Sequence, residues 1–203
     1  MVRLYGHLPD PRNHLGSGAC EGDRPPSRVV TRVTHRISIS RLQGNTMTLA
    51  DETTADATSL CHSEELPWAE LAPGIEMKVL RIGAGGDRYT LMNRFAPGTV
   101  LPKHHHHGEV HAWTIAGEWG YQEYDWTAGP GDYIHEGAGT VHTLAVPASS
   151  PEPAVIQFVI EKGMDFLDEN DQPFHTEDAS SITELYLAAL DGAGIPRPEG
   201  MLP

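Results

Sequence analysis

Cysteine is nearly absent from this chain of 203 residues, which contains only Cys20 and Cys61. Two cysteines outside any regular pattern argue against a disulfide framework, so we expect a reducing, cytoplasmic environment. Long apolar runs are also lacking, since none approaches the ~18 residues of a membrane span. The first residues contain no apolar stretch typical of a secretory signal. We therefore expect no membrane association.

Basic residues are scarce, with 14 Lys and Arg against 28 Asp and Glu and a formal net charge of −14. Such a chain repels the phosphates of nucleic acids and anionic membrane surfaces. Nucleic acid is therefore excluded as an expected partner, and small molecules remain.

The few basic residues are unevenly placed. Residues 1–46 hold seven arginines against three acidic residues, whereas the rest of the chain holds seven basic against 25 acidic residues. The first segment is aperiodic and contains "DRPPSR", so it cannot bury enough apolar surface to offset chain entropy. We predict that residues 1–46 are a disordered or misassigned N-terminal extension, with Met47 as a natural start. A transit peptide is the second interpretation. Residues 47–66 are predicted to be a linker.

From residue 67 the sequence is typical of short strands separated by Gly- and Pro-rich turns, which predicts an all-β sandwich or barrel over 67–165. The predicted strands are 75–82, 88–95, 110–117, 118–126, 131–136, 142–147 and 154–161. In the C-terminal part, 166–203, "SITELYLAALDGAG" predicts one amphipathic helix. Ser181 and Glu184 have the spacing of a capping box at its start, and Gly192 marks its end. The remaining tail is predicted to be irregular.

The central segment "KHHHHGEVH" (103–111) is rich in histidine. Side chains alternate between the two faces of a strand, so His104 and His106 share one face while His105 and His107 point the other way. Two imidazoles at this spacing supply two metal ligands from one strand. A glycine-rich turn places His142 on a later strand, where it is a candidate third ligand.

These histidines lie in two segments that resemble the cupin motifs. In G-x5-H-x-H-x3–4-E-x6-G and G-x5-P-x-G-x2-H-x3-N, seven positions match: Gly98, His104, His106, Gly117, Gly131, Gly139 and His142. Three depart, with Val110 for glutamate, Gly137 for proline and Val146 for asparagine. The resemblance implies a single cupin domain, a jelly-roll barrel or double-stranded β-helix, with a short C-terminal α-helix.

The chain resembles the 2,4′-dihydroxyacetophenone dioxygenase-like cupins over roughly 67–192. The resemblance is carried by the segments "HHHHGEVHAWTIAGEWGYQEYDW" and "EGAGTVHTL". That resemblance implies a mononuclear Fe(II), with Zn or Ni as alternatives, held by His104, His106 and His142. It implies a catalytic role for Glu136 as a base, a labile ligand or a hydrogen-bonding partner of the ligands. The expected partners are a small ketone substrate and O2, and the expected assembly is a homodimer or homotetramer.

The loss of the motif glutamate has a chemical consequence. Three neutral imidazoles leave the full +2 charge of the metal, which favours a substrate that binds as an enolate. The predicted function is thus a dioxygenase that cleaves a C–C bond of a small hydroxyketone or diketone. Two alternatives stay open: a ChrR-like metal-binding sensor, and a cupin isomerase or lyase.

The other polar and aromatic residues around the motifs receive less specific interpretations. His105 and His107 are interpreted as solvent-facing or as supports for the ligands, and His135 as structural. Glu109 and His111 are satisfied polar residues or part of a pocket mouth. An aromatic pocket or simple barrel packing explains the remaining set: Trp113, Trp119, Tyr121, Tyr124 and Trp126.

Overall fold

The computed structural model describes residues 58–83 and 85–201. The prediction for residues 1–46 and most of the predicted linker 47–66 lie outside the described residues. All described residues belong to the second of two units into which the chain divides, Asp56–Pro203. Its first element is a single turn of 3-10 helix, Ser63–Glu65.

The described residues of this unit form twelve strands and one α-helix. In chain order they are β1 (Ala69–Ala72), β2 (Ile75–Ile82), β3 (Arg88–Phe95), β4 (His104–His106), β5 (Val110–Ala116), β6 (Gly120–Tyr121), β7 (Tyr133–Glu136), β8 (Val141–His142), β9 (Leu144–Ala145), β10 (Ala154–Glu161), β11 (Met164–Leu167), β12 (Pro173–Glu177) and α1 (Ala179–Ala193). The predicted all-β architecture with one C-terminal helix is confirmed.

The larger sheet has six strands in the order β1-β2-β3-β10-β5-β7, all paired antiparallel. Its central strand β10 alternates strictly, burying Ala154, Ile156, Phe158 and Ile160 and leaving the residues between them half-buried. This period of two is what one buried face requires. The buried residues of β10 belong to the one large hydrophobic core.

The smaller sheet has four strands in the order β12-β11-β4-β8. In β11, Met164 lies opposite His106 and Phe166 opposite His104, and both β11 residues are buried. β11 reaches Leu167 and β12 reaches Glu177, so the sheet continues past residue 165, where the barrel boundary was predicted. Both strands are short, and the polar turn between them interrupts the alternation of polar and apolar residues by which a strand is predicted.

The predicted strand 118–126 pairs only in its first half, where Trp119 forms an isolated bridge with Ala128. Gly120 and Tyr121 (β6) pair with Ala145 and Leu144 (β9). Beyond them the chain turns, and the Glu123 carboxylate accepts a hydrogen bond from the backbone N–H of Thr143 at 2.8 Å. The prediction was wrong for the rest of this segment because the chain turns there, with the Tyr124 N–H donating to the Tyr121 carbonyl at 3.2 Å.

The N-cap of helix α1 lies three residues before the predicted position, and its C-cap lies two residues after the predicted one. Its N-cap is Asp178, whose carboxylate accepts hydrogen bonds from the backbone N–H groups of Ser180 and Ser181, while the Ser181 hydroxyl accepts from the N–H of Asp178. Ser181 thus occupies the N3 position of the capping box rather than the N-cap. The helix ends at Gly194, in the left-handed conformation (φ 69°), rather than at Gly192.

Among the residues that the structure describes, no helix is long and apolar enough to cross a membrane. α1 instead packs on the barrel through Ile182, Tyr186 and Leu190, which are buried. The Tyr186 hydroxyl donates to the Pro67 carbonyl at 2.8 Å, which ties the helix to the start of the sheet.

Candidate metal centre

The histidine segment forms β4 and alternates as its sequence predicts. His104 and His106 are buried, and His105 between them is half-buried on the other face. His142, in β8, lies directly opposite His104. The turn before β8 is fixed by two backbone hydrogen bonds, from Gly139 N–H to the His106 carbonyl and from His106 N–H to the Thr140 carbonyl.

The three inward-facing imidazoles converge inside the barrel. His104, His106 and His142 are 4%, 3% and 1% exposed, and each offers a ring nitrogen within 4.8 Å of the others. Their ring centroids are 4.8–5.1 Å apart. Burying three polar rings together costs free energy unless their nitrogen atoms find partners.

His104 is held in one tautomer. Its Nδ1 lies 3.0 Å from the Pro102 carbonyl oxygen, which only accepts, so Nδ1 carries the hydrogen and Nε2 keeps its lone pair. Burial, together with the nearby His106, lowers the pKa of His104 to about 4. The ring is therefore neutral at pH 7 and suited to bind a metal.

A carboxylate joins the three imidazoles. Glu136, in β7, is buried, and its Oε2 lies 3.0 Å from His106 Nε2 and 3.2 Å from His142 Nε2. The Tyr121 hydroxyl donates to the other oxygen, Oε1, at 2.5 Å. The Tyr121 ring also stacks on His142, with centroids 3.8 Å apart, so one tyrosine orients both a histidine and the acid.

The surroundings of Glu136 keep it ionised. Burial raises its pKa, but contact with the rings of His106 and His142 outweighs burial and holds the pKa well below its usual range. Burial and the neighbouring Glu136 carboxylate raise the pKa of Tyr121 well above 10, so the phenol keeps its proton. The hydrogen bond therefore runs from a neutral phenol to a carboxylate.

These residues fit a divalent transition metal. Among the described residues, four buried side-chain atoms lack a partner in hydrogen-bonding geometry: His106 Nδ1, His106 Nε2, Glu136 Oε2 and His142 Nε2. Two imidazole nitrogens and a carboxylate oxygen, 3.0 and 3.2 Å apart, form a donor set that suits such an ion. A cation held by the imidazoles would give partners to His106 Nε2 and His142 Nε2 and would offset the charge of Glu136.

The match to known proteins agrees with this architecture. A model of the ChrR cupin-like domain family matches residues 56–165, more than half of the chain. The chain belongs to this family of cupins. A comparison with curated proteins finds no match.

Solved structures share the same fold. An RmlC-like cupin protein from Ralstonia eutropha JMP134 is 25% identical, with a TM-score of 0.64, and the match covers 70% of this chain and 92% of that one. A cupin-like protein of unknown function from the same organism is 22% identical (TM-score 0.65; 74% and 95% covered). An acetylacetone dioxygenase from Acinetobacter johnsonii is 16% identical (TM-score 0.56; 67% and 94% covered). The predicted cupin fold is confirmed.

The five aromatic residues that were interpreted as an aromatic pocket or as barrel packing separate into three groups. Trp119 and Tyr121 are buried, and Tyr121 reaches the site. Tyr124 and Trp126 are exposed and stack on each other. Trp113 lies outside the barrel, 39% exposed. Of these five residues, only Tyr121 therefore contacts the candidate metal residues.

The expected homo-oligomer stays a prediction.

The outward-facing residues near the site have partners of their own. His107 Nε2 lies 2.8 Å from Asp165 Oδ2. His135 is exposed, with Glu109 Oε2 at 3.7 Å, and His111 Nδ1 lies 2.6 Å from the Tyr133 hydroxyl. None of His107, His135 and His111 turns toward the three buried imidazoles.

Sequence reasoning missed two partners. Tyr121 was interpreted as part of an aromatic pocket or as barrel packing, so its hydrogen bond to Glu136 was not predicted. Asp165 received no role because its partner His107 lies 58 residues away in sequence. The position of Glu136 has a simple origin: β7 pairs with β5 so that Glu136 lies directly opposite Val110, the residue at the motif's glutamate position.

Proposed function

We propose that this cupin is an Fe(II)-dependent dioxygenase that cleaves a C–C bond of a small hydroxyketone or β-diketone. The observation that carries the proposal is the combination of three buried imidazoles with the ionised Glu136 beside two of them. The presence of an acetylacetone dioxygenase among proteins of the same fold supports this choice of reaction. The finer resemblance to 2,4′-dihydroxyacetophenone dioxygenase-like cupins points to the same class of substrate.

In this proposal His104, His106 and His142 hold the metal as neutral ligands. Bound there, Fe(II) supplies Lewis acidity toward two adjacent substrate oxygens and an electron source for O2. The Pro102 carbonyl fixes the ring of His104, and the stacked Tyr121 ring fixes that of His142. Such supports determine the orientation of the ligands.

Glu136 acts as the base in the proposed reaction. Its Oε2 takes the proton that an enolisable substrate gives up, while Tyr121 continues to donate to Oε1. The substrate becomes an anion as Glu136 becomes neutral, so the total charge of the buried site does not change. This refines the charge argument made from the sequence, which considered only the three neutral imidazoles.

The overall reaction balances with O2 as the sole co-reactant. A hydroxyketone R–CO–CH2OH plus O2 gives R–COOH and formic acid, and a β-diketone gives a carboxylic acid and an α-ketoaldehyde. In both cases one C–C bond breaks and each product gains one oxygen atom. The residues of the barrel supply binding and proton transfer.

The test is anaerobic loading with Fe(II), followed by O2-uptake measurements with hydroxyacetophenones and β-diketones. Glu136→Gln should lower the rate by about 10²-fold or more, as for loss of a positioned base. Tyr121→Phe should also lower it, whereas Tyr124→Phe is the matched control because Tyr124 is exposed and does not touch Glu136. Absence of O2 uptake by protein that retains stoichiometric iron would contradict the proposal.

A second candidate is a non-catalytic, metal-binding regulatory domain of the ChrR type, which the family match favours. It predicts stoichiometric metal without turnover of any ketone. An isomerase or lyase would instead convert substrate under anaerobic conditions, so product formation without O2 separates it from the dioxygenase.

A further inference from the structure

The outer face of β4 carries a second set of metal-binding side chains. His105 and His107 point away from the barrel interior, with ring centroids 5.7 Å apart. Asp165, in β11, is the direct cross-strand partner of His105. The backbone N–H of His107 donates to the Gly163 carbonyl at 3.0 Å, so the chain is fixed immediately after β4 ends.

The Asp165 carboxylate is oriented by a neighbouring strand. The Thr176 hydroxyl, in β12, donates to Asp165 Oδ1 at 2.6 Å. The other oxygen, Oδ2, faces His107 Nε2 at 2.8 Å. A hydroxyl that holds one carboxylate oxygen and leaves the second toward two imidazoles is the kind of support found behind metal ligands.

We propose that His105, His107 and Asp165 form a second site for a divalent transition metal. Each residue offers a ligand atom within 4.8 Å of the other two, and all three are half-buried. The set shares no residue with His104, His106 and His142. The inference is independent of the proposed function because it concerns the opposite face of the strand.

Space for further ligands lies beside the three residues. A cavity of about 350 Å³ is lined in part by His105 and Asp165. This volume greatly exceeds the ~10–15 Å³ that one water needs, so water can complete the coordination. Lys103 also lines the cavity, but its ammonium is paired with Asp171, so its charge is offset.

The donor set selects among cations. Two imidazoles and one carboxylate suit Zn(II), Co(II), Ni(II) or Cu(II), whereas Mg(II) and Ca(II) prefer oxygen ligands. Three protein ligands plus solvent is a common arrangement for Zn(II). Zn(II) alone is therefore the appropriate probe.

The experiment is equilibrium dialysis of the full-length protein against Zn(II), with bound metal counted by mass spectrometry. Asp165→Asn and His107→Ala should each bind one Zn(II) fewer per chain than the wild type. His142→Ala should also lose one, from the inner site, and combining it with Asp165→Asn should lose two. Asp165→Asn preserves the size of the side chain and can still accept from Thr176, so it tests the charge with little risk to the fold.

The matched control is His135→Ala, which removes an exposed imidazole that also lies near a carboxylate, Glu109 at 3.7 Å. It should bind as much Zn(II) as the wild type. Circular dichroism establishes that each variant is folded. A folded Asp165→Asn protein that binds the same amount of Zn(II) as the wild type would overturn the second site, whatever the outcome of the O2-uptake assay.

Discussion

We expect the buried carboxyl of Glu177 to make the stability of this protein depend on pH. It is the last residue of β12, it is buried, and its Oε1 accepts a hydrogen bond from the Tyr89 hydroxyl at 3.0 Å. Burial raises its pKa from 4.5 to about 7; the Tyr89 hydrogen bond opposes this and the neighbouring Asp178 adds to it. The folded protein therefore keeps this carboxyl protonated at pH values where the unfolded chain has released the proton.

The sign and size of the effect follow. Between pH 4.5 and 7 the folded state binds one proton more than the unfolded state, so the free energy of unfolding falls as the pH rises. Each unit of pKa difference corresponds to ~1.4 kcal/mol, so the stabilisation present below pH 4.5 is reduced by about 3 kcal/mol above pH 7. Glu177→Gln removes this dependence while keeping an oxygen that accepts from Tyr89.

Urea unfolding of the wild type and of Glu177→Gln from pH 4 to pH 8.5 measures the effect. The variant should gain about 3 kcal/mol relative to the wild type across this range. Any constant cost of the substitution cancels in this comparison. Glu169→Gln is the control, since Glu169 is exposed and the variant should follow the wild-type profile. Parallel profiles for the wild type and Glu177→Gln would refute the reasoning.

Two further substitutions test the fold. A Cβ at Gly117 would lie 2.4 Å from the Pro153 carbonyl oxygen, whereas at Gly98 the nearest atom would be 3.7 Å away; both glycines have positive φ (71° and 84°). Backbone strain should lower the free energy of unfolding of each alanine variant by ~1–2 kcal/mol, and the clash should lower that of Gly117→Ala by several kcal/mol more. Equal losses of the two variants in urea unfolding would contradict the clash. Asp178→Ala should cost ~1 kcal/mol through the lost N-cap. Ser180→Ala should cost less, because Ser180 contributes only its backbone N–H to the cap, and thermal unfolding that ranks the two variants the other way would disprove this assignment.

The long strands could be predicted because their sequences contain the signals that define them. The strands 75–82, 88–95 and 154–161 have the predicted bounds, since β-branched and aromatic residues run between Gly- and Pro-rich turns. The strands β1 and β12 could not be predicted, because they are short and partly exposed. The helix N-terminus was predicted wrongly, because Asp178, directly after the end of β12, is the N-cap in place of Ser181.

The candidate site was predictable only where it depends on local spacing. The period of two separates His104 and His106 from His105 and His107 without knowledge of the fold. The contacts of Glu136 and Asp165 depend instead on which strands pair and in which register, because β7 joins β5 and β11 joins β4. No local pattern specifies such pairings between distant segments.

Because Glu136 lies directly opposite Val110, an acid reaches the barrel interior from a position that the linear motif does not include. Residues paired across two antiparallel strands point to the same face, so an acid on either one enters the same interior. The motif places the acid on one strand, whereas either residue of the cross-strand pair can direct a carboxylate into the barrel interior. Cupins that lack the motif glutamate should accordingly be inspected at the paired position before their centres are classed as neutral.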